Sequence, residues 1–241
     1  MKTIILAAGL GKRLKTELPK PLVSINSKPM VEYITEKIQN ICEQPEIIMV
    51  IRKETDELFK KHIHSKNIYY AFQENQLGTA HALKCALKHI NNREELLIMY
   101  SDTVLIRKES LEKLIEKHRE NNNTVTFLSG ISNNRYPYAL VVRDKDNRII
   151  KMYEKKIPQT EPPFEFYVGP IILDSEMART YINEINPDPN TGEYYIADLV
   201  NKIIENNYRV QSLILNDERE YLGINTPEDF KKAKSMLDMM E

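Results

Sequence analysis

Cysteine is nearly missing from this chain: Cys42 and Cys85 are the only two in 241 residues. Two are too few for a disulfide framework, and their spacing matches no zinc site. Both are expected to be free, buried thiols in a reducing cytosol. Long apolar runs are missing as well. The opening MKTIILAAGLGKRL starts apolar but is far too short to span a membrane. It turns glycine-rich and basic where a secretory signal would stay apolar. No other segment reaches transmembrane length, so a soluble cytoplasmic protein without a membrane partner is expected. Neither sign of charge is in excess, with 34 Lys plus Arg against 35 Asp plus Glu. Bulk electrostatics therefore give no case for a nucleic-acid or anionic-membrane partner. Any anionic ligand must be held by local groups. Internal repeats, low-complexity stretches and a flexible linker are absent too.

What is present is a core-forming share of apolar residues, 41%, arranged in two patterns. In the first half, short apolar runs alternate with helical periodicity. Thr3 to Ala7, Ile47 to Ile51, Ile68 to Phe72 and Leu96 to Tyr100 read as strands. Met30 to Ile41, Glu54 to Ile63, Ala80 to Ile90 and Leu111 to His118 read as helices. Alternation of this kind predicts βαβ units and a parallel sheet, with ligands at the carboxyl ends of the strands. After about residue 123 the pattern changes. Thr124 to Leu128, Ala139 to Arg143, Ile149 to Tyr153 and Phe164 to Leu173 read as strands of an antiparallel layer added to the parallel sheet. Glu193 to Ile204 and Pro227 to Leu237 return to helix, the last started by Thr226 as N-cap and Pro227 at the first helical position. One α/β domain over 1–241 is expected, with a half at 1–123 and a β-rich half at 124–241.

The most informative segment is Leu6-Ala7-Ala8-Gly9-Leu10-Gly11-Lys12-Arg13. It follows a strand, and its small residues and glycines expose backbone N–H groups that suit phosphate oxygens. It lacks the third glycine of a dinucleotide fingerprint and the Gly-Lys-Ser/Thr of a Walker loop. A dinucleotide-dependent oxidoreductase is excluded on that pattern. Arg13 closes the turn and Pro19-Lys20-Pro21 follows. Two cations beside bare amides would neutralise much of a triphosphate's charge. Asp102, just past an apolar strand, is a hard oxygen ligand at the expected ligand edge, suited to magnesium. Asn225 offers a neutral oxygen just before a helix. The histidines at 62, 64, 81, 89 and 118 converge on nothing and read as surface or packing residues.

LAAGLGKRL with the later PKPL resembles the signature of the sugar-1-phosphate nucleotidyltransferase family. The similarity is greatest to the uridylyltransferase domain of bacterial N-acetylglucosamine-1-phosphate uridyltransferases. Residues 72–82 (FQENQLGTAHA) resemble its uridine-binding stretch and Tyr100-Ser101-Asp102 its metal-site triplet. Gly192-Glu193-Tyr194-Tyr195 and Gly223-Ile224-Asn225 resemble its later motifs. The resemblance implies a Rossmann-like three-layer fold, mostly parallel, with a β-rich insertion on the sugar side. It implies that a nucleoside triphosphate, UTP favoured, and a sugar 1-phosphate are joined with release of pyrophosphate, in a monomer or small homo-oligomer. It implies Mg2+ on Asp102 and Asn225, Arg13 on the β- and γ-phosphates, and Lys20 on the reacting phosphates. The nucleotide would be held by Leu6, Ala7, Ala8, Gly9, Gly11, Gln73, Gly78 and Thr79. The sugar would be held by Tyr100, Tyr138, Ala139, Glu154, Tyr167 and Tyr195, with an ion pair of Glu154 to Lys155 or Lys156 as its plainer alternative.

Two departures bear on the acceptor. A family Tyr-Gly pair is Tyr138-Ala139 here, and a family asparagine is Tyr167. An added methyl and a bulky ring would reshape an N-acetyl pocket, which leaves another hexose or phosphocholine as acceptor. Cytidylyl or thymidylyl transfer, or a regulatory module that binds nucleotide without turnover, are the other readings. The family's acetyltransferase half is built from hexapeptide repeats. None occurs in this sequence, so no acetyl transfer is expected.

Overall fold

The computed structural model describes residues 1–63, 67–154 and 158–239; His64, Lys155 and Lys156 lie outside the described residues. In the first half the elements are β1 (Lys2–Leu6), the short hairpin β2 (Ser24–Ile25) and β3 (Lys28–Pro29), then α1 (Met30–Ile41) and β4 (Ile47–Ile51). They continue through α2 (Asp56–His62), β5 (Ile68–Phe72), α3 (Thr79–Leu87), β6 (Glu95–Tyr100) and α4 (Lys108–Glu120). The second half adds β7 (Val125–Ser132), β8 (Leu140–Arg143), β9 (Ile149–Tyr153) and β10 (Phe164–Asp174). It closes with α5 (Ser175–Tyr181), α6 (Ile196–Glu205), β11 (Val210–Ile214) and α7 (Pro227–Asp238).

The main path of a nine-stranded sheet runs β11-β7-β10-β6-β1-β4-β5. β6, β1, β4 and β5 pair in parallel, β10 is antiparallel to both neighbours, and β11 is parallel to β7. Six of these seven strands therefore point the same way. The later strands bring the antiparallel pairings expected of them, through β10, β8 and β9, while β7 and β11 run with the parallel set. They extend the same sheet, and the β8–β9 hairpin branches from β10.

The period-two alternation of the strands builds the three layers. Ile4 and Leu6 of β1 enter one core with α3, α5 and α6, while Ile5 and Ala7 enter the other with α1, α2 and α4. Both faces of β4 are covered, so all five of its residues are buried. Each such aliphatic side chain contributes about 1.5–3 kcal/mol. A third core, with Leu14, Ile25, Met30, Leu105 and Ile224, sits beneath α7.

Several boundaries differ from the sequence reading for physical reasons. Helix α6 begins at Ile196, not Glu193, because Tyr194 is spent as an extended residue. Its N–H donates to the Leu77 carbonyl at 2.8 Å and its carbonyl accepts from the Ala80 N–H at 2.9 Å. Helix α5 was not read at all; Asp174 caps it by accepting the N–H groups of Glu176 and Met177. Cys85 is buried as expected, but Cys42 at the end of α1 is only half-buried; both are free.

Candidate active site

Beyond β1 the chain turns through Gly9, Leu10 and Gly11. Among the described residues, the N–H groups of these three donate to no acceptor. They remain available to an anion. Gly11 has φ +60°, and a Cβ there would lie 2.7 Å from Cβ of Lys20. The glycine is thus required by the close approach of the Lys20 segment. That segment is stiffened by Pro19 and Pro21 and closed by the Leu22 N–H donating to the Pro19 carbonyl at 2.8 Å.

Four side chains meet at this turn. Nζ of Lys20 donates to Oδ2 of Asp102 at 2.6 Å and to Oδ1 of Asn225 at 2.9 Å. Nη2 of Arg13 donates to the same Asn225 oxygen at 3.1 Å. Each partner is held from behind. Asp102 follows β6, and its carbonyl accepts from the Ile224 N–H at 3.0 Å, joining the two loops. Asn225 is fixed by Nδ2 donating to the Gly223 carbonyl and by its N–H donating to Oδ2 of Asp229. Asp229 also completes the capping box with Thr226 that starts α7. Asp102 and Asn225 therefore aim two hard oxygens at one ammonium. A carboxylate and an amide oxygen around a cation make a donor set that also fits magnesium, whose remaining ligands are usually phosphates and water.

These groups share a cleft of about 460 Å³, together with Leu6, Ala8, Gly9, Gly11, Gln73, Gly78, Thr79 and Tyr100. Lys12, Gln76, Ser101 and Glu193 also line it and were not singled out in the sequence reading. All four lay inside quoted motifs, which was the only signal for them. Ala7 is not on this surface; it packs in the opposite core and its N–H donates to the Val50 carbonyl. A larger cavity of about 760 Å³ lies by β8, β9 and β11. There Arg143 pairs with Glu165 and Arg148 with Asp144.

On the nucleotide side, Gly78 has φ +94°, and a Cβ there would lie 2.4 Å from the Tyr194 carbonyl oxygen. Only glycine lets the Tyr194 segment dock at the start of α3. Gln73 is buried, and its Nε2 donates to the Gly78 carbonyl at 3.1 Å and lies 3.0 Å from Nδ1 of His81. The Thr79 hydroxyl accepts from the Ile196 N–H at 3.0 Å.

The opposite side is aromatic. Tyr100 and Tyr167 meet edge to face at 6.1 Å, and Tyr167 meets Phe127 at 5.5 Å. The Tyr167 hydroxyl donates to the Gly169 carbonyl and stands 3.3 Å from the Tyr100 hydroxyl. Burial pushes both phenols far above their ordinary range. Ala139 is 1% exposed, and its carbonyl accepts from the Tyr167 N–H at 2.8 Å. The Tyr138 hydroxyl donates to the Tyr221 carbonyl at 2.8 Å and accepts from the Gly223 N–H at 2.9 Å. Burial, opposed by that Gly223 bond, pushes Tyr138 up to about 12. Its hydroxyl holds the loop that carries Asn225. Glu154 and Tyr195 line a separate cavity of about 300 Å³ with Asp188 and Asp198. The structure thus brings together the phosphate and base residues named from the sequence, Ala7 excepted, and sets Tyr138, Ala139, Glu154, Tyr167 and Tyr195 outside that cleft.

Comparison with known proteins agrees with this geometry. A family model described as nucleotidyl transferase matches residues 2–238. The bifunctional protein GlmU of Caldicellulosiruptor saccharolyticus is 29% identical over 98% of this chain and 51% of its own length. The GlmU of Caldanaerobacter subterraneus is 32% identical, again over 98% of this chain and 51% of its own. The chain thus spans about half the length of the curated relatives it matches. A crystal structure from Bacillus anthracis, described as a glucose-1-phosphate thymidylyltransferase in complex with a sucrose, superposes with a TM-score of 0.77. It shares 20% identity and covers 98% of this chain and 94% of its own. That likeness establishes the fold.

Proposed function

This chain belongs to the nucleotidyl transferase family, and from that membership we propose that it joins a nucleoside triphosphate, UTP by preference, to a sugar 1-phosphate with release of pyrophosphate. One observation carries the reading: Lys20, Asp102, Asn225 and Arg13 converge at a turn of unpaired backbone amides in a single cleft.

The chemistry asks for little more. An oxygen of the sugar phosphate attacks the α-phosphorus, and pyrophosphate leaves from the opposite side. The attacking phosphate has a second pKa of about 6 and is mostly dianionic at neutral pH. It needs no protein base. The protein's task is to hold two anions in line and offset their repulsion. The amides of Gly9 to Gly11 and the Arg13 guanidinium suit the β- and γ-phosphates. Lys20 suits the reacting phosphates once it leaves Asp102. Asp102 and Asn225 would hold magnesium, which supplies charge neutralisation at the phosphates when bound. The Lys20 ammonium lies between those two oxygens, so a magnesium ion held there would have to exchange positions with it.

The base lies against Ala8 and Gly78, with Gln73 at its hydrogen-bonding edge. The acceptor lies toward Tyr100. Tyr167 and Ala139 fill space that the family signature gives to Asn and Gly, so an unsubstituted hexose 1-phosphate is favoured over an N-acetylated one. The test is pyrophosphate release with magnesium, each of four nucleoside triphosphates and a panel of sugar 1-phosphates and phosphocholine. UTP with a hexose 1-phosphate is expected to respond most. No release with any pair would replace this reading by that of a regulatory nucleotide-binding module.

A further inference from the structure

We infer that His81 is a positioning residue for base selection, because it locks the Gln73 amide with its oxygen facing the cleft. The inference rests on the nucleotide site proposed above. A free glutamine does not by itself tell uracil from cytosine. Its amide can rotate to present either a donor or an acceptor. Uracil places an N3–H donor between two acceptors, whereas cytosine has a ring acceptor at that position. Selectivity needs the rotation to be stopped.

Two contacts stop it. The Gly78 carbonyl can only accept, and the Gln73 amide group that meets it at 3.1 Å must be the NH2. The same NH2 faces Nδ1 of His81 at 3.0 Å, so that nitrogen must be the unprotonated one. Gln73 is 3% exposed, leaving little room for an alternative arrangement. Its Oε1 makes no hydrogen bond among the described residues, and Gln73 lines the cleft. The site therefore presents a fixed acceptor. It matches the N3–H of uracil or thymine and opposes the lone pair of cytosine N3. With Gly78 alone the amide would be held by one bond; with His81 a flip would set Oε1 against two acceptors.

The lock requires a neutral imidazole, since a protonated one would aim N–H at NH2. Burial lowers the His81 pKa, and Lys84 and Lys88 on the same helix lower it further. The Asn75 carbonyl opposes them, and Lys84, Asn183 and Tyr194 line a small cavity together with His81. As the pH falls through the imidazole range, protonation would favour the flipped amide and erode the preference for UTP.

The experiment measures kcat/KM for UTP and for CTP, with one acceptor, from pH 8 to about 5.5, in the wild type, His81→Phe and His81→Asn. Phe keeps the packing without an acceptor; Asn restores an oxygen near the Nδ1 position. The UTP-to-CTP ratio is expected to fall by roughly tenfold or more in His81→Phe and to recover in His81→Asn. The wild-type ratio is expected to decline in acid, and the His81→Phe ratio to stay flat. An equal loss for both nucleotides in His81→Phe, with the ratio and its pH profile unchanged, would make His81 merely structural and overturn the inference. A wild type that releases no pyrophosphate from any triphosphate would instead overturn the functional reading, and this inference with it.

Discussion

The cleft and the aromatic cluster that borders it behind Tyr100 form two walls built on opposite principles. The phosphate wall is a set of charges and bare amides held by backbone: Gly9 to Gly11, Lys20 between its prolines, and Asn225 ahead of a capped helix. The acceptor wall is a packed aromatic cluster whose hydroxyls are already bonded within the protein. Tyr138 bonds to the Tyr221–Gly223 loop and Tyr167 to Gly169. Charges on long flexible side chains can change partners when substrate arrives, as Lys20 would in the proposed reaction. A buried ring cannot move without leaving a void. Under the proposed function, the first wall would set the rate and the second which acceptor fits.

The sharpest way to break that division is at the charges. Asp102→Asn and Lys20→Ala are each expected to cut turnover by 10²-fold or more, about 3–4 kcal/mol of transition-state stabilisation, with little change in thermal stability. Retained turnover in Asp102→Asn would remove it from the metal site. Magnesium binding to the substrate-free protein, followed by calorimetry, is expected to strengthen in Lys20→Ala, because a competing cation is gone. Weaker binding there would sink the exchange of positions.

Next in size is the seam between the halves. Gly78→Ala adds a methyl 2.4 Å from the Tyr194 carbonyl at a φ of +94°. A destabilisation of about 3–4 kcal/mol is expected by urea unfolding, from clash plus backbone strain. A neutral result would mean that the Tyr194 segment does not depend on this contact. On the acceptor wall, Tyr167→Asn removes a buried ring and is expected to cost about 2–3 kcal/mol. It is also expected to raise kcat/KM for an N-acetylhexosamine 1-phosphate relative to the plain hexose. An unchanged ratio would show that Tyr167 does not shape the acceptor pocket.

The same division explains what could be read without coordinates. The phosphate wall was legible because its residues are consecutive in short motifs and its strands are uninterrupted apolar runs. The run Ile47 to Ile51 became β4 with the same bounds. The acceptor wall was not legible, since its contacts join Tyr138 to Tyr221 and Tyr100 to Tyr167, far apart in sequence. β11 was missed because Val210–Ile214 is short and does not alternate, its two polar residues, Gln211 and Ser212, being adjacent. The antiparallel course of β10 was expected from the change of pattern after residue 123. His81, read as a packing residue, was underestimated because its partner Gln73 is eight positions away on a different element.

The smallest effect concerns the contact behind the cleft. Lys37 of α1 donates to the Val104 carbonyl and faces Glu220, which accepts from the Arg107 N–H at 2.8 Å. Burial lowers the Lys37 pKa from 10.5 to about 8, and the nearby Glu220 charge only partly offsets it. Below pH 8 both folded and unfolded chains hold this proton, so Lys37 adds no slope there. Between about 8 and 10.5 the folded chain has shed the proton that the unfolded chain keeps. Unfolding then takes up a proton, and the Lys37 contribution to stability rises with pH, because the burial cost of a charged ammonium is relieved. Relative to Lys37→Met, the wild type is expected to gain on the order of 1–2 kcal/mol from pH 7 to pH 10. Parallel stability curves for the two proteins would mean that Lys37 titrates as an ordinary surface lysine. The packing of α1 against the Glu220 turn would then be looser than the bonds described here.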